Sequence, residues 1–161
     1  MNGTALNHNI YWPITFLASF LIWVMFAGLL AMWLIDGRIK REQVLHALLA
    51  SLIAWVVTEV VKSFFPTLRP FQVNGAPPLT ITIPSTHAFP SFHAAVAFAV
   101  ATTIFLHNKK LGLIFVVFAL LVGLGRIWSN VHSFIDIIGG GIIGVVTAIA
   151  VERVHLRKLL G

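Results

Sequence analysis

Long apolar stretches separated by short polar segments dominate the pattern of this chain. Five such stretches cover residues 14–35, 44–65, 92–107, 111–128 and 134–151. A helix needs about 20 apolar residues to cross the hydrocarbon core of a bilayer. The first two stretches meet that length, and the last three are 16 to 18 residues long. We therefore predict an all-α, polytopic membrane bundle of about five transmembrane helices, forming a single domain over residues 1–161.

Composition agrees with a membrane protein. Hydrophobic residues make up 58% of the chain and charged residues only 10%, whereas a soluble domain carries about 25% charged residues. The absence of cysteine excludes both a disulfide framework and a thiolate metal site. The net charge of +6 is better explained by cations that flank membrane spans than by a nucleic-acid partner. Residues 1–13 contain no Lys or Arg, so the first stretch is expected to be a retained span rather than a secretory signal.

The lysines and arginines predict an orientation. If the five helices alternate in direction, eight of the eleven cations fall on one side of the membrane. Because cytoplasmic loops carry an excess of Lys and Arg, that side is expected to be cytoplasmic, with the C-terminus inside and the N-terminus outside. The eight are Arg38, Lys40, Arg41, Lys109, Lys110, Arg153, Arg157 and Lys158.

The other three cations fall on the opposite, outer side: Lys62 and Arg126 at the ends of the second and fourth predicted helices, and Arg69 in the 66–91 loop. Ionisable groups at membrane depth cost about 2.5–3.5 kcal/mol each at a helix centre and tend to be functional, although Lys62 alone could snorkel to the interface. The same side carries His87, His93, His132 and Asp136. The segments from His93 to His107 and from Leu111 to Arg126 are each about 22–24 Å long at 1.5 Å per residue, which predicts similar depths for His93 and Arg126. His132 and Asp136 have the i, i+4 spacing of one helix face.

This set of residue types suits phosphate chemistry. Arginine forks match phosphate oxygens, and lysine adds a point charge. A histidine held by a carboxylate can serve as nucleophile or base, and a second histidine can protonate a leaving oxygen. A lone acid with few other oxygen ligands makes a poor Mg²⁺ site, so we expect no metal and no cofactor.

Three segments resemble the signatures of one enzyme family. KSFFPTLRP at 62–70 matches Lys-x6-Arg-Pro, and PSFH at 90–93 matches Pro-Ser-Gly-His except at one position. RIWSNVHSFID at 126–136 matches Arg-x5-His-x3-Asp. In this order, over residues 59–140, the segments resemble the type 2 phosphatidic acid phosphatase family of helical membrane phosphatases.

The resemblance implies a role for each matching residue. His132 is implied to be the nucleophile that forms a phosphohistidine, Asp136 its orienting partner, and His93 the general acid. Four residues are implied to bind the phosphate: Lys62, Arg69, Ser91 and Arg126. Two positions depart from the family pattern, because Phe92 replaces the usual glycine and Gly125 replaces the usual serine. The first departure puts a tight turn or backbone contact in doubt, and the second removes a hydroxyl.

Several nearby residues have simpler explanations. His87 belongs to PSTH, an earlier copy of PSFH, but Pro90 would interrupt a helix there. In the second copy, Ser91 is placed to cap a helix with His93 in its first turn, so we expect His87 to be a solvated loop residue. His46 and His107 are likewise expected in loops or at the interface. Glu59 lies one turn before Lys62, either to pair with it or to tune the site. The glycine-rich fifth stretch, 139–144, predicts close helix packing within the bundle or in a homodimer.

The resemblance further implies an integral membrane phosphatase for a lipid phosphate or diphosphate. Short bacterial members of this layout look like undecaprenyl-diphosphate phosphatases, which release undecaprenyl phosphate for cell-wall biogenesis at the outer face of the inner membrane. Phosphatidylglycerophosphate and a lipid A phosphate are the alternative substrates. A haem or metal protein would instead need a histidine pair deep within the spans, and a proton-relay protein would need ionisable groups near mid-bilayer. The stretches at 94–106 and 111–125 contain no charged residue.

Overall fold

The computed structural model describes residues 8–35 and 38–153, and this part of the chain is helical and without strands. Each of the five apolar stretches forms helix, and the third has the predicted bounds. A short helix after the second stretch was not anticipated. The helices are α1 His8–Ser19, α2 Leu21–Ile35, α3 Arg38–Phe64, α4 Pro70–Asn74, α5 Phe92–His107, α6 Lys109–Trp128 and α7 Phe134–Arg153.

The helices support a membrane-spanning bundle. Within the described residues, α3, α6 and α7 are each long and apolar enough to cross a bilayer, and α1 and α2, bent by 50° at their junction, make a fourth if the pair is one span. The fifth apolar helix, α5, has 16 residues, about 24 Å at 1.5 Å per residue. It packs against α3, α6 and α7 and is buried nearly all round. Because its neighbours surround it, α5 does not need the full length of a lipid-facing span.

Alanine and glycine residues set how closely the helices approach the central α5. Its buried positions include Ala94, Ala95 and Ala99. On α7, a Cβ atom at Gly140 would overlap the carbonyl oxygen of Ser91, and one at Gly144 would overlap that of Ala95. Small residues at these crossings allow the two backbones to touch. The start of α7 therefore lies directly against the start of α5.

The bend between α1 and α2 has an identifiable origin. The side chain of Arg126, from α6, donates a hydrogen bond from Nη1 to the carbonyl oxygen of Ala18, 3.1 Å away, just before the break. A side chain that enters the i→i−4 hydrogen-bond ladder is a recognised cause of sharp kinks. The α6 helix reaches this point because Gly125 has no side chain, since a Cβ atom there would lie 2.7 Å from backbone atoms of Leu17 and Ala18.

Candidate active site

All seven predicted site residues lie at one end of the bundle, where α3 and α6 end and α5 and α7 begin. Six are buried, and His93 is half-buried. Arg69 lies between α3 and α4, His132 lies in the loop between α6 and α7, and the other five belong to the helices or cap them. The buried six are Lys62, Arg69, Ser91, Arg126, His132 and Asp136.

His132 and Asp136 face each other, although not on one helix as predicted. The α7 helix begins at Phe134, so His132 precedes it in the loop. Its Nδ1 atom nevertheless lies 3.5 Å from Oδ2 of Asp136. This separation is too long for a formed hydrogen bond, and Nδ1 has no other partner among the described residues. A small shift of either side chain would bring the pair into hydrogen-bond contact.

Asp136 is fixed by the first turn of α7. Its Oδ2 accepts a hydrogen bond from the backbone N–H of Ser133 at 2.7 Å, and its own N–H donates to Oγ of Ser133 at 3.3 Å. This is a reciprocal capping arrangement, which satisfies backbone groups that a helix start leaves free. Sequence reasoning missed Ser133, even though the spacing Ser-x-x-Asp before an apolar run is a capping signal.

The opposite edge of the His132 ring faces Arg69. Nη1 of Arg69 lies 3.1 Å from Nε2 of His132. Because a guanidinium only donates hydrogen bonds, Nε2 must be the acceptor, and the neutral ring then carries its proton on Nδ1, toward Asp136. Burial lowers the pKa of His132 to about 4, Arg126 and Arg69 act in the same direction, and Asp136 opposes them. The ring is therefore neutral near pH 7, with a lone pair on Nε2.

Arg69 also holds two loops together. Its Nε donates to the carbonyl of Thr86 at 2.8 Å, and Nη2 donates to Oγ1 of Thr86 at 3.3 Å and to the carbonyl of His87 at 3.2 Å. On the other side, Nη1 donates to the carbonyl of Val131 at 3.0 Å. The PSTH copy thus contributes two backbone carbonyls and the Thr86 hydroxyl, while the His87 side chain is exposed. Sequence reasoning had no signal for these contacts.

Lys62 does not snorkel. It is buried at 3% exposure, and its Nζ donates to Oε1 of Glu59 at 2.8 Å, so Glu59 pairs with it. The same Nζ lies 4.8 Å from the ring centroid of Phe92, and that ring lies 4.1 Å from the ring of His93. The Phe92 ring therefore contacts both Lys62, within cation–π range, and the His93 ring, from which it is tilted by 34°.

Ser91 caps α5 as predicted. Its Oγ accepts from the N–H of Ala94 at 3.5 Å, and its own N–H donates to the carbonyl of Asp136 at 2.9 Å. Phe92 is the first residue of the helix, and among the described non-glycine residues only Asn130 has a positive φ. Phe92 therefore occupies ordinary helical backbone. The doubt that a phenylalanine would disturb a tight turn is thereby removed.

Arg126 completes the group of cations. Nη1 is bonded to Ala18, as described above, and Nε is buried with no partner among the described residues. Its carbonyl accepts from the N–H of His132 at 3.2 Å, which ties the loop to the end of α6. His93 lies within electrostatic range of Arg126, Lys62, Arg69 and His132. Buried donors without partners at such a site are available to an anionic ligand.

A membrane helical bundle with three cations, two histidines and one carboxylate at one end defines a membrane protein whose site suits a phosphate group. Residues 43–159 match the family model described as the PAP2 superfamily, and the chain belongs to that family of membrane lipid phosphatases. The region that carries the three signatures lies within this match.

Named relatives and solved structures agree with this family. The chain is 32% identical over 136 residues to the "bacitracin transport permease protein BcrC" of Bacillus licheniformis, covering 84% of this chain and 67% of that one. It is 30% identical over 118 residues to the "undecaprenyl-diphosphatase BcrC" of Bacillus subtilis, covering 73% and 61%. The chain thus spans about two thirds of the length of these relatives.

Among solved structures, it is similar to LpxE of Aquifex aeolicus, with a TM-score of 0.66 and 25% identity over 89% of this chain and 84% of that one. A phosphatidylglycerolphosphate phosphatase from Bacillus subtilis shares the fold, with a TM-score of 0.62 and 23% identity over 94% and 77%.

Proposed function

We propose that this protein hydrolyses undecaprenyl diphosphate, or a closely similar polyprenyl diphosphate, to the monophosphate through a phosphohistidine on His132. The observation that carries the proposal is the orientation of His132, with Nε2 against Arg69 at 3.1 Å and Nδ1 facing Asp136 at 3.5 Å. A neutral imidazole held this way presents a lone pair to a phosphorus atom next to a cation.

The chemistry follows from these positions. Nε2 of His132 attacks the terminal phosphorus, and the bond to the bridging oxygen breaks. The leaving lipid monophosphate takes a proton from His93. A water molecule then attacks the phosphohistidine, giving a proton back to His93, and inorganic phosphate leaves. Lys62, Arg69 and Arg126 stabilise the charge on the transferring group, and Ser91 adds a hydroxyl or backbone contact.

An apolar groove supports a lipid substrate. It has a volume of about 430 Å³ and is lined by side chains of α5, α6 and α7. It extends from Phe134, two residues after His132, past Ile138 to Val146 on α7. At 1.5 Å per residue this is about 18 Å along the helix, which suits an acyl or prenyl chain whose headgroup reaches the cations.

The names of relatives favour the diphosphate substrate, since the Bacillus subtilis relative is named an undecaprenyl-diphosphatase. Phosphatidylglycerophosphate and a lipid A phosphate are the alternatives. We infer that no metal takes part in the reaction, because Asp136 is the one carboxylate among the seven site residues.

A homodimer stays a prediction. Since Gly140 and Gly144 already contact α5, it would need a different face.

The decisive measurement is phosphate release from a panel of lipid phosphates and diphosphates by purified protein, with a chelator present. We expect the highest kcat/KM on the prenyl diphosphate, and near-complete loss in His132→Ala and His93→Ala. His87→Ala is the matched control and should keep its activity. Full activity in His132→Ala would rule out the phosphohistidine. Rescue of a bacterial strain that lacks its carrier-lipid phosphatases tests the substrate in the cell.

A further inference from the structure

A second polar cluster lies at the opposite end of the bundle from the candidate active site. His46 near the start of α3, His107 at the end of α5 and Glu152 near the end of α7 each offer one ligand atom, and these atoms lie within 4.8 Å of one another. His46 is buried at 4% exposure. Both histidines belong to helices, so the expectation of a loop position is wrong for His46 and His107, whereas the alternative of an interfacial position stays a prediction.

The hydrogen bonds of His107 determine where its lone pair points. Nδ1 lies 2.9 Å from the carbonyl oxygen of Thr103, and a carbonyl only accepts, so Nδ1 carries the proton. In the neutral ring, Nε2 is then an acceptor, and it lies 3.4 Å from Oε1 of Glu152. An imidazole lone pair facing a carboxylate oxygen is stable only if a positive charge lies between or on them. That charge is either a second proton on His107 or a metal ion.

His46 approaches the same carboxylate from the other side. Its Nδ1 lies 3.2 Å from Oε2 of Glu152, and Nε2 of the same ring is buried without a partner among the described residues. The two imidazole rings are 5.7 Å apart between centroids. The carboxylate of Glu152 is therefore flanked by two imidazoles from two other helices.

The spacing suits zinc. Ligand atoms at adjacent tetrahedral positions, with bonds of about 2.0–2.2 Å to the metal, lie about 3.3–3.5 Å apart. Nδ1 of His46 lies 3.2 Å from Oε2 of Glu152 and Nε2 of His107 lies 3.4 Å from Oε1, so each imidazole faces a different carboxylate oxygen at about this spacing. A backbone carbonyl that accepts the other ring N–H, as Thr103 does for His107, is the usual support of a metal-binding histidine. Two imidazoles and one carboxylate, with water in the fourth position, form a ligand set that known zinc sites use.

Among the described residues, two cations at this end of the bundle make other contacts. Nζ of Lys109 lies 4.1 Å from the ring centroid of Phe105, and the guanidinium of Arg41 lies 5.5 Å from the ring of Trp33. Both charges are thus placed over aromatic faces. Arg153, the neighbour of Glu152, is exposed.

We propose that His46, His107 and Glu152 bind one Zn²⁺ ion that joins α3, α5 and α7, with water in the fourth position. The ion stabilises the packing of these helices and takes no part in phosphate transfer, because the cluster lies at the opposite end of the bundle from His132. It holds one end of the three helices whose other ends carry Lys62, His93 and Asp136, about 21–24 Å away along each helix at 1.5 Å per residue. The expected absence of a metal was argued from the residues of the candidate active site. The proposed zinc site lies at the other end of the bundle and gives the metal no part in the reaction.

The test uses the full chain, purified without a polyhistidine tag, stripped with a chelator and titrated with Zn²⁺. Bound zinc is measured by mass spectrometry after dialysis, and the unfolding midpoint by a thermal scan. We expect about one zinc per chain and a higher midpoint. Glu152→Gln and His107→Gln each remove a ligand and should weaken zinc binding at least about 100-fold. This is more than the loss of a residue that only hydrogen-bonds to a ligand. His87→Gln, which removes an exposed histidine, is the matched control.

Two results would overturn the proposal. One is wild-type protein that retains no zinc and gains no stability from it. The other is a midpoint that depends on pH but not on zinc, which would identify a proton shared between His107 and Glu152. If a variant fails to fold, zinc X-ray absorption on the wild type decides, because two imidazole ligands give a distinctive scattering pattern. Phosphate release measured in parallel separates this proposal from the one on His132.

Discussion

Nη1 of Arg69 lies 3.1 Å from Nε2 of His132, so the expected nucleophile is hydrogen-bonded to a residue expected to bind the phosphate. The guanidinium is also committed to the carbonyls of Thr86, His87 and Val131. An arriving phosphoryl group must therefore take over the Nη1 contact while the remaining bonds keep Arg69 in place. Arg69 has two roles in this arrangement, as a phosphate ligand and as the link between two loops.

The double role makes Arg69→Lys a severe change. Lysine keeps the charge but cannot reach the two loops and His132 together. We expect kcat to fall by at least about 100-fold, as for loss of one charge-stabilising donor, together with a lower unfolding midpoint. Arg41→Lys, an exposed position at the other end of the bundle, is the control. Unchanged stability in Arg69→Lys would show that the loop contacts do not matter.

The pKa of His132 predicts how stability depends on pH. The ring titrates near 6.5 in the unfolded chain and at about 4 when folded. Between these values only the unfolded chain binds the proton, so stability is full above about pH 6.5 and falls as the pH is lowered toward 4, by about 3 kcal/mol. Thermal scans of wild type and His132→Asn from pH 4.5 to 7.5 should show that the unfolding midpoint falls less with decreasing pH in the variant. Parallel curves would contradict the assignment.

Asp136→Asn separates orientation of the nucleophile from folding. The amide oxygen can still accept from the N–H of Ser133, so the helix start is kept, but the charge facing Nδ1 of His132 is lost. We expect kcat to fall by about 10²–10⁴-fold with KM nearly unchanged. Ser133→Ala is the counterpart, because it keeps the carboxylate and removes a cap worth about 0.5–2 kcal/mol. It should lower the unfolding midpoint more than it lowers kcat.

The α5–α7 crossing predicts different outcomes for glycines one residue apart. Gly140→Ala places a methyl group on the carbonyl of Ser91, whereas a Cβ at Gly141 would lie 3.5 Å from Phe98, an ordinary contact. We expect Gly140→Ala to be strongly destabilised, with loss of activity because the starts of both helices move apart. Gly141→Ala should be neutral or more stable, since it raises helix propensity. Thermal scans of the two variants give the comparison, and equal midpoints would refute this packing.

The absence of cysteine allows the predicted orientation to be tested directly. Ser85→Cys lies in the exposed loop beside the candidate site, and Lys110→Cys lies at the exposed opposite end. With the site outside, a membrane-impermeant maleimide should label Ser85→Cys in intact cells and Lys110→Cys only after permeabilisation. The reverse pattern would place the site in the cytoplasm.

The sequence alone determined the elements and the residue types of the site. Hydrophobic runs are local, so they located the helices closely, including 92–107. The Ser91 cap and the Lys62–Glu59 pair were also predictable, because both join residues within one helical turn. Likewise, the order of the three signatures indicated a phosphatase before any geometry was known.

Only the tertiary structure decided which distant groups meet. Arg126 bends the first span by bonding Ala18, 108 residues away, and His46 faces Glu152 across 106 residues. Arg69 donates to the backbone carbonyls of Thr86 and His87. Because every residue carries a backbone carbonyl, the sequence does not single out these two. No periodicity or motif encodes these contacts. They depend on how closely glycine and alanine allow the helices to pack, and that packing is settled only when the whole bundle is assembled.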